Sequence, residues 1–582
     1  MSEVFISYIK DKLDNLTNKQ AYITMLSIGL VTYCTGLFSP FQGDDYYQIV
    51  NNIPVHSIKN LFLFFNSSTF FDGQYLTGTY YRPMMSTSYS ILYSIFGAHS
   101  FPFHLAQLLI YISSAFILYL IFKRFFKPNP ALVLAIIFLV HPMNSYVVFA
   151  IPTLQDALFF FFGILAIWFL IEDKYKNTNW LCAASLLLSL LSKETGIVFV
   201  IIALLYLLLF DKKRLRAFAF ISIVPILVYL VLRLHAIGLN PVSSAAPIDK
   251  LSFAGRLLTM PSLISFYAAK FIFPWRLSTA YYWTYPAFSV KHVLVPLIVD
   301  ILMAIALVYV GIIVHRKKPQ SNYRAYLFFI SWTLVGLVTC LQLLPLDMTA
   351  SESWFYFSMA GLLGIVGVVL TTYKIHVDLK LLYVVVALLV IILAVRTLVR
   401  GTDYRNPYVL AQHDLSASQD NFSAMIVIAQ ELSDQGKYKE AAAYARQSIG
   451  IYPNVNNYTN LGDALLQTND YPGAIAAFKH AMKYGSLTTT YEDLGVTYLG
   501  YGSYNNNIAY FKTSLKVFPY DYTLWMYLAI LEDSHGDNKD AKIDISRAAS
   551  LGPVEQALYS RIMENLPFTF DLAGNKTIST HP

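Results

Sequence analysis

The first 400 residues contain about eleven apolar stretches, and these constrain the fold more than any other feature. A helix of about 20 apolar residues spans the hydrocarbon core of a bilayer. Over the whole chain 56% of the residues are hydrophobic and only 13% are charged, a composition that excludes an ordinary soluble protein. The sequence therefore predicts an all-α, polytopic membrane domain over residues 1–400. The predicted spans are 21–39, 104–122, 131–149, 155–171, 180–191, 196–210, 217–233, 293–314, 325–343, 356–373 and 380–397.

Basic residues in the short connecting loops predict how the chain is oriented. Membrane proteins retain Lys and Arg in loops on the cytoplasmic side. With the N-terminus in the cytoplasm, five basic loops all lie on that side, whereas the loop at residues 40–103 and everything after residue 397 lie opposite, in the periplasm, cell exterior or endoplasmic reticulum lumen. This distribution explains the net charge of +7 without a nucleic-acid partner. The five loops are 123–127, 173–176, 212–216, 316–318 and 374–380.

A repeat begins at about residue 418, where the composition becomes polar. Four positions recur at spacings of 33, 33 and 34 residues, namely Ala441, Ala474, Asn507 and Ala541. A second set marks the turn between two helices and consists of Gly436, Asn469, Gly502 and Gly536. This is the tetratricopeptide pattern, in which helix pairs stack into a solenoid. We expect four repeats over residues 418–553, followed by a tail over residues 554–582.

The predicted solenoid offers a surface that can hold a peptide or a protein. A purely structural or dimerising role is the alternative. Aromatic residues on the first helices of the repeats are the candidate contacts to an acceptor protein, and these are Tyr458, Tyr491 and Trp525.

Two adjacent carboxylates, Asp44 and Asp45, follow the first apolar stretch. Neighbouring like charges are unfavourable unless they face water, a cation, or each other across a shared proton. The simplest interpretation is a solvated helix end. The functional interpretation is an acid–base group at the membrane surface, and the other polar residues on the same predicted face favour it.

Several further polar residues lie at the ends of spans on this face. Isolated cations there suit a phosphate group. Lys193 and Glu194 together fit a functional site and an ordinary ion pair at a membrane surface equally well. His141 ends one span, and Asp156 begins the next, where the helix dipole favours an acid. The cations are Arg82, Arg256, Lys270 and Arg276.

The order of these motifs resembles a known family. They are Gly43-Asp44-Asp45, Tyr81-Arg82-Pro83, His104, His141-Pro142, Gln155-Asp156, Ser192-Lys193-Glu194-x-Gly196, Tyr267-x-x-Lys270-x-x-x-Pro274-x-x-Leu277 and Glu352-x-x-x-Tyr356, followed by the repeats. The set is similar to the transmembrane-and-tetratricopeptide protein O-mannosyltransferases and their prokaryotic relatives, within the GT-C glycosyltransferase superfamily. The resemblance implies a polyprenyl- or dolichyl-phosphate-linked sugar donor, an outward-facing site, and transfer to a protein hydroxyl. Ser353 stands where relatives often carry arginine. This departure bears on which head group or sugar the site recognises more than on the type of reaction.

A serine or threonine hydroxyl needs a general base, and the departing lipid phosphate needs cations. We assign the base to Asp44 or Asp45, with Asp44 preferred by the resemblance. The donor phosphate is assigned to Arg82, Lys193 and Arg276, and further site candidates are His141, Asp156, Glu194 and Glu352. A single acidic cluster suits an inverting transfer. The paired acids could also hold a divalent cation such as Mg or Mn, and the sequence leaves the metal undecided.

Three alternatives stay open at this point. The first is a GT-C transferase whose acceptor is a glycan or a lipid. The second is an oligosaccharide transferase that modifies pilins or surface proteins. The third is a non-catalytic membrane-anchored scaffold in which the repeats recruit partners, although a scaffold gives no reason for acids and cations to share one face.

Overall fold

The computed structural model describes residues 17–71, 76–173, 177–239, 246–317, 319–373, 379–566, 569–571 and 579–581. The chain divides into two compact units, Met1–Gln419 and Asp420–Pro582.

The first unit is built from helices of mostly apolar sequence. A single two-residue antiparallel ribbon, Phe70–Phe71 with Leu76–Thr77, interrupts them within the described residues. Its α-helices are Asn18–Tyr33, Leu61–Asn66, Pro83–Phe96, Ser100–Phe122, Pro128–Val140, Ser145–Phe149, Leu154–Glu172, Thr178–Ser192, Ile197–Phe210, Lys212–Ile237, Phe253–Ile272, Val295–Arg316, Gln320–Cys340, Tyr356–Thr372, Leu379–Asp403 and Pro407–Ala417.

Seven helices among the described residues are long and apolar enough to cross a membrane, and a bent pair brings the number to eight. The bend of 51° separates Pro128–Val140 from Pro142–Phe149, where a proline removes a backbone donor. The two apolar helices Thr178–Ser192 and Glu194–Phe210 are shorter. The predicted all-α, multi-pass membrane fold is confirmed, but the predicted number of eleven spans is not. Lys174, Lys176, Lys318 and Lys374 of the predicted basic loops lie outside the described residues.

Two neighbouring helices, Gln320–Cys340 and Tyr356–Thr372, show how tightly the membrane unit packs. A Cβ atom added at Gly364 would lie 2.1 Å from the Phe329 ring, and one at Gly361 would lie 2.7 Å from the Thr333 backbone nitrogen. Small residues permit such an approach in membrane helix pairs, where dispersion contacts supply the attraction. This packing fixes the N-terminal part of Tyr356–Thr372, and with it the preceding turn Glu352–Phe355.

The second unit consists of four helix pairs, as the repeat predicts. At the turn between the two helices, the backbone φ angles of Gly436, Asn469, Gly502 and Gly536 are 75°, 62°, 121° and 85°. These left-handed conformations explain why glycine or asparagine recurs there. The helices are Phe422–Asp434 and Tyr438–Ile451, Val455–Gln467 and Tyr471–Ala481, Thr488–Gly500 and Tyr504–Val517, and Tyr522–Ser534 and Asn538–Leu551.

The recurring small residues at the other aligned position are buried in the second helix of each pair, since Ala441, Ala474 and Ala541 are 0% exposed and Asn507 is 3% exposed. The predicted tetratricopeptide fold is therefore confirmed. After the repeats come the helix Gln556–Glu564 and an antiparallel ribbon of Thr569–Asp571 with Ser579–His581.

Candidate functional site

The two carboxylates of the acidic motif lie in a tight turn and differ sharply in environment. Gly43 adopts a φ of 54°, and the backbone N–H of Asp45 donates to the Gln42 carbonyl at 3.1 Å. The turn directs Asp45 inward, where its side chain accepts a hydrogen bond from the Gln42 N–H at 2.8 Å. Asp45 is 2% exposed, whereas Asp44 is exposed to solvent. Only Asp44 is therefore placed to meet a substrate from outside.

Both carboxyl groups of the turn are harder to ionise than ordinary aspartates. Burial, with a smaller contribution from Asp44, raises the pKa of Asp45 to about 8, although the Gln42 hydrogen bond works in the opposite direction. Desolvation by surrounding protein and the negative charge of Asp347 raise the pKa of Asp44. A raised pKa brings a carboxylate closer to the value that suits a general base near neutral pH.

Asp347 connects the acidic turn to the arginine of the Tyr81-Arg82-Pro83 motif. The hydroxyl of Tyr80 lies 3.5 Å from Asp347 Oδ2, and the Arg82 guanidinium lies 4.2 Å from the centre of the Tyr80 ring. Arg82 Nη2 also lies 3.4 Å from Glu194 Oε1. The Arg82 Nε–H is buried and has no hydrogen-bond partner among the described residues, so this guanidinium retains donor capacity.

Lys193 is held by an acid rather than left free. Its Nζ lies 2.7 Å from Asp156 Oδ1, and the two side chains are 12% and 4% exposed. Although desolvation works in the other direction, Arg82 and Lys193 together lower the pKa of the neighbouring Glu194. Two cations and two carboxylates thus form one nearly neutral network.

A second group of cations surrounds Arg276. The Nζ of Lys270 donates to the Arg276 carbonyl, and Arg396 Nη2 donates to the Trp275 carbonyl at 2.7 Å. Partial burial lowers the pKa of Lys270, and the charges of Arg276 and Arg396 lower it further, against the opposing effect of Glu352. The Arg276 side chain is exposed. Clustered cations with one exposed member suit an anion such as a phosphate.

Glu352 lies beneath this second group. It is 0% exposed, its Oε1 accepts a hydrogen bond from the Tyr281 hydroxyl at 3.3 Å, and its Oε2 has no partner among the described residues. Arg400 and Asp414 pair nearby at 2.8 Å, and Asp414 accepts the backbone N–H of Thr279 at 2.9 Å. Glu352 is therefore positioned as a buried support and does not reach solvent.

His141 serves the same region through backbone contacts. Its Nδ1 accepts the Met143 N–H at 3.3 Å, so its Nε2 carries the proton that it shares with the Phe271 carbonyl at 3.0 Å. The imidazole also stacks on the Phe271 ring at 5.3 Å between centroids. These contacts join the bend after Val140 to the end of the helix that carries Lys270.

The acidic turn also contacts the segment that carries Asp414. Gln42 Nε2 donates to the Tyr404 carbonyl at 3.2 Å. Ion pairs join Arg82 with Glu194 and Lys193 with Asp156. Asp347 lies 3.5 Å from the Tyr80 hydroxyl, and its charge also acts on Asp44. Arg276, Glu352 and His141 lie in other parts of the same unit.

Sequence reasoning missed several residues of these groups. Asp347, Arg396 and Asp414 carry no local signal, because each meets its partners only through folding. Tyr80 directly precedes the Tyr81-Arg82-Pro83 motif, and an aromatic ring beside an arginine was the available signal.

The aromatic candidates of the repeats differ in accessibility. Tyr458 is partly buried and stacks on His480 and Tyr484, with ring centroids 5.3 and 5.6 Å away. Tyr491 is 7% exposed and packs edge-on against Phe518. Tyr458 and Trp525 therefore offer a partner more surface than Tyr491.

Within the described residues, no group of three or more His, Cys, Asp or Glu side chains is placed to hold a metal ion.

Part of the membrane unit matches a known protein family. Residues 82–236 match the family model of the dolichyl-phosphate-mannose-protein mannosyltransferases, and residues 422–455 and 455–484 match a tetratricopeptide repeat model. The predicted resemblance to protein mannosyltransferases that carry tetratricopeptide repeats is confirmed. The matched membrane segment contains Arg82, His141, Asp156, Lys193 and Glu194.

Solved structures resemble the chain only distantly. ArnT from Cupriavidus metallidurans bound to undecaprenyl phosphate is 13% identical, with 78% of this chain and 79% of that chain covered and a TM-score of 0.40. The tetratricopeptide protein YrrB, described as having an unusual peptide-binding site, is 15% identical, with 31% and 90% covered and a TM-score of 0.24. No curated protein sequence matches the chain. At these similarities the two structures carry no functional information about this chain.

Proposed function

We propose that this membrane glycosyltransferase transfers a sugar from a polyprenyl- or dolichyl-phosphate-linked donor to Ser or Thr hydroxyls of extracytoplasmic proteins. The observation that carries the proposal is the asymmetry of the acidic turn. Asp44 is exposed with a raised pKa, while its neighbour Asp45 is buried. The family match over residues 82–236 supports a lipid-linked donor.

The reaction needs one base and one stabilised leaving group. Asp44 accepts the proton of the acceptor hydroxyl while the oxygen attacks C1 of the sugar. The bond between C1 and the phosphate oxygen breaks, and the lipid phosphate leaves with the electron pair. A single displacement of this kind inverts the configuration at C1 and needs no second nucleophilic carboxylate.

Arg276 is the strongest of the three candidates for the donor phosphate, because its side chain is exposed and two further cations, Lys270 and Arg396, adjoin it. Arg82 follows, since its Nε–H lacks a partner among the described residues. Lys193 already pairs with Asp156 at 2.7 Å. Lys193 can contact a phosphate only if this ion pair opens, so we assign Lys193 a positioning role.

The orientation follows from the same proposal. Asp44 and the repeats face away from the cytoplasm, and the repeats dock the acceptor polypeptide. A catalytic role for Asp44 requires the donor head group and the acceptor on that side of the membrane.

The proposal is tested in proteoliposomes that contain the purified chain, a polyprenyl-phosphate-linked sugar and a Ser/Thr-rich polypeptide. We expect mass spectrometry to show the added sugar on Ser or Thr residues, and Asp44→Asn to lower the rate of transfer by about 10²- to 10⁴-fold. Asp249→Asn changes an exposed acid elsewhere in the same unit and should leave transfer intact. Transfer by Asp44→Asn at the wild-type rate, or transfer that appears only on lipid or glycan, would contradict the proposal.

A further inference from the structure

A cavity of about 390 Å³ lies between three helices of the last two repeats, Tyr504–Val517, Tyr522–Ser534 and Asn538–Leu551. Each helix contributes side chains spaced three, four or seven residues apart, which is the spacing of one helical face. The lining residues are Lys512, Leu515, Lys516, Trp525, Leu528, Glu532, Asp540, Ile543 and Asp544. We call this space the acidic cavity.

Carboxylates form the inner part of the acidic cavity. Glu532 is 1% exposed, and its buried Oε2 receives no hydrogen bond from a donor group in the described part of the chain. The carboxyl group of Asp544 shares a hydrogen bond with Glu532, and Asp540 is a third acid nearby. Burial and these two acids raise the pKa of Glu532 to about 8, with Lys512 compensating in part. At this pKa Glu532 is largely protonated at neutral pH, and a cation that reaches it lowers the pKa and stabilises the ionised carboxylate.

Apolar side chains form part of the wall of the acidic cavity, beside the lysines Lys512 and Lys516. Trp525 is partly buried, and its indole N–H already donates to the Pro519 carbonyl at 2.9 Å, so the ring presents apolar surface to the cavity. Leu528 lines the cavity with it, and Ile543 stands 58% exposed at the opening. Apolar walls over an acidic floor match a lysine or arginine side chain, whose stem packs on hydrocarbon while its head pairs with a carboxylate.

A metal ion fits the same site less well. Divalent cations take several oxygen ligands, and no group of three or more acids in the described residues has a metal-binding arrangement. An aromatic wall also adds nothing to a metal site, whereas it attracts an ammonium or guanidinium group.

We propose that the acidic cavity binds a lysine or arginine side chain of the acceptor polypeptide. The inference rests on the proposed function in one respect, that the repeats dock the acceptor. It adds a chemical specificity, which is a basic residue in the acceptor polypeptide.

The test uses the full chain in detergent, immobilised and exposed to a peptide library with one fixed serine and six randomised positions. We expect retained peptides to be enriched in lysine or arginine at one position by about 10- to 100-fold, the range of a charge-assisted hydrogen bond. Glu532→Gln, which keeps the shape of the side chain, should remove the enrichment. Asp544→Asn is the second variant, because its partly exposed position tolerates change more readily.

The matched control is Glu440→Gln, an exposed acid in the first repeat, far along the chain from the acidic cavity. It should leave the enrichment unchanged, and thermal unfolding confirms that each variant is folded. Retention without basic enrichment, no retention of any peptide, or enrichment that survives both cavity variants would overturn the inference.

The assay separates this inference from the proposed function. Sugar transfer in proteoliposomes that proceeds equally on peptides with and without a basic residue would overturn the acidic cavity as a docking site alone. Basic enrichment without any sugar transfer would overturn the proposed function and leave the acidic cavity standing. Stabilisation of the chain by Mg²⁺ or Ca²⁺ that disappears in Glu532→Gln would assign the site to a metal and overturn the inference.

Discussion

Replacing the two acids of the turn one at a time should give very different results. Asp44 is exposed, while Asp45 is 2% exposed and accepts the Gln42 N–H at 2.8 Å. Asp44→Asn removes the only proton acceptor of the turn that faces outward. Asp45→Asn retains a carbonyl oxygen that can accept the same hydrogen bond.

The expected magnitudes follow from these environments. Loss of a general base lowers the rate by about 10²- to 10⁴-fold, which is about 3–5 kcal/mol in activation free energy. The pKa of Asp45 is about 8, so at pH 7 this group is largely protonated and uncharged. An asparagine resembles that state, and we expect its rate to stay within about tenfold of wild type, because a neutral-for-neutral replacement changes no charge.

The assay is single-turnover transfer from the lipid-linked donor in proteoliposomes, with both variants at equal protein level. Thermal unfolding controls for folding, and a parallel set with chelator controls for a metal. Equal losses in both variants together with chelator sensitivity would indicate a shared metal. Full activity of Asp44→Asn would refute the assignment of the base, and the acid pair would then be a solvated helix end.

Three further predictions concern charge. Asp347→Asn removes a negative charge that helps to raise the pKa of Asp44, so the acidic limb of the pH–rate profile should move to lower pH. An unchanged limb would show that the charge of Asp347 does not act on the catalytic base. Arg276→Gln should raise the KM for the donor more than it lowers kcat, and the reverse would exclude phosphate binding in the ground state. Because the pKa of Glu532 rises from 4.5 to about 8 on folding, the stability of the repeats should fall between these pH values by about 1.4 kcal/mol per unit at most. Glu532→Gln should flatten that fall in a series of melting temperatures, and an unchanged slope would contradict it.

The helices and the repeats could be predicted because their signals are local. Each predicted apolar stretch coincides with a helix except 131–149, which the bend after Val140 divides. Gly436, Asn469, Gly502 and Gly536 all adopt the left-handed turn conformation that the repeat requires. The number of spans could not be predicted, since helices such as Asn18–Tyr33 and Thr178–Ser192 are shorter than a bilayer crossing usually needs.

The pairing of the site residues could not be read from the sequence. Lys193 and Asp156 are separated by 37 positions, and Arg82 and Glu194 by 112, so only the packing of helices decides that each cation meets an acid. The same holds for Asp347 and Tyr80, which are in contact although 267 positions separate them in the sequence.

The difference between Asp44 and Asp45 also depends on folding. Adjacent residues in a turn point in different directions, but the direction that leads into the protein is set by what packs behind the turn. The sequence therefore predicted the pair, and the structure shows that Asp45 is buried while Asp44 is exposed.

Direct observation of the products tests the central claim most simply. The purified chain is incubated in proteoliposomes with a radiolabelled polyprenyl-phosphate-linked sugar and a Ser/Thr-rich polypeptide, and the products are resolved by mass spectrometry and nuclear magnetic resonance. We expect one sugar on a Ser or Thr oxygen with inverted configuration at C1, together with free polyprenyl phosphate. Label found on a lipid or a glycan, retained configuration, or no transfer at all would contradict it.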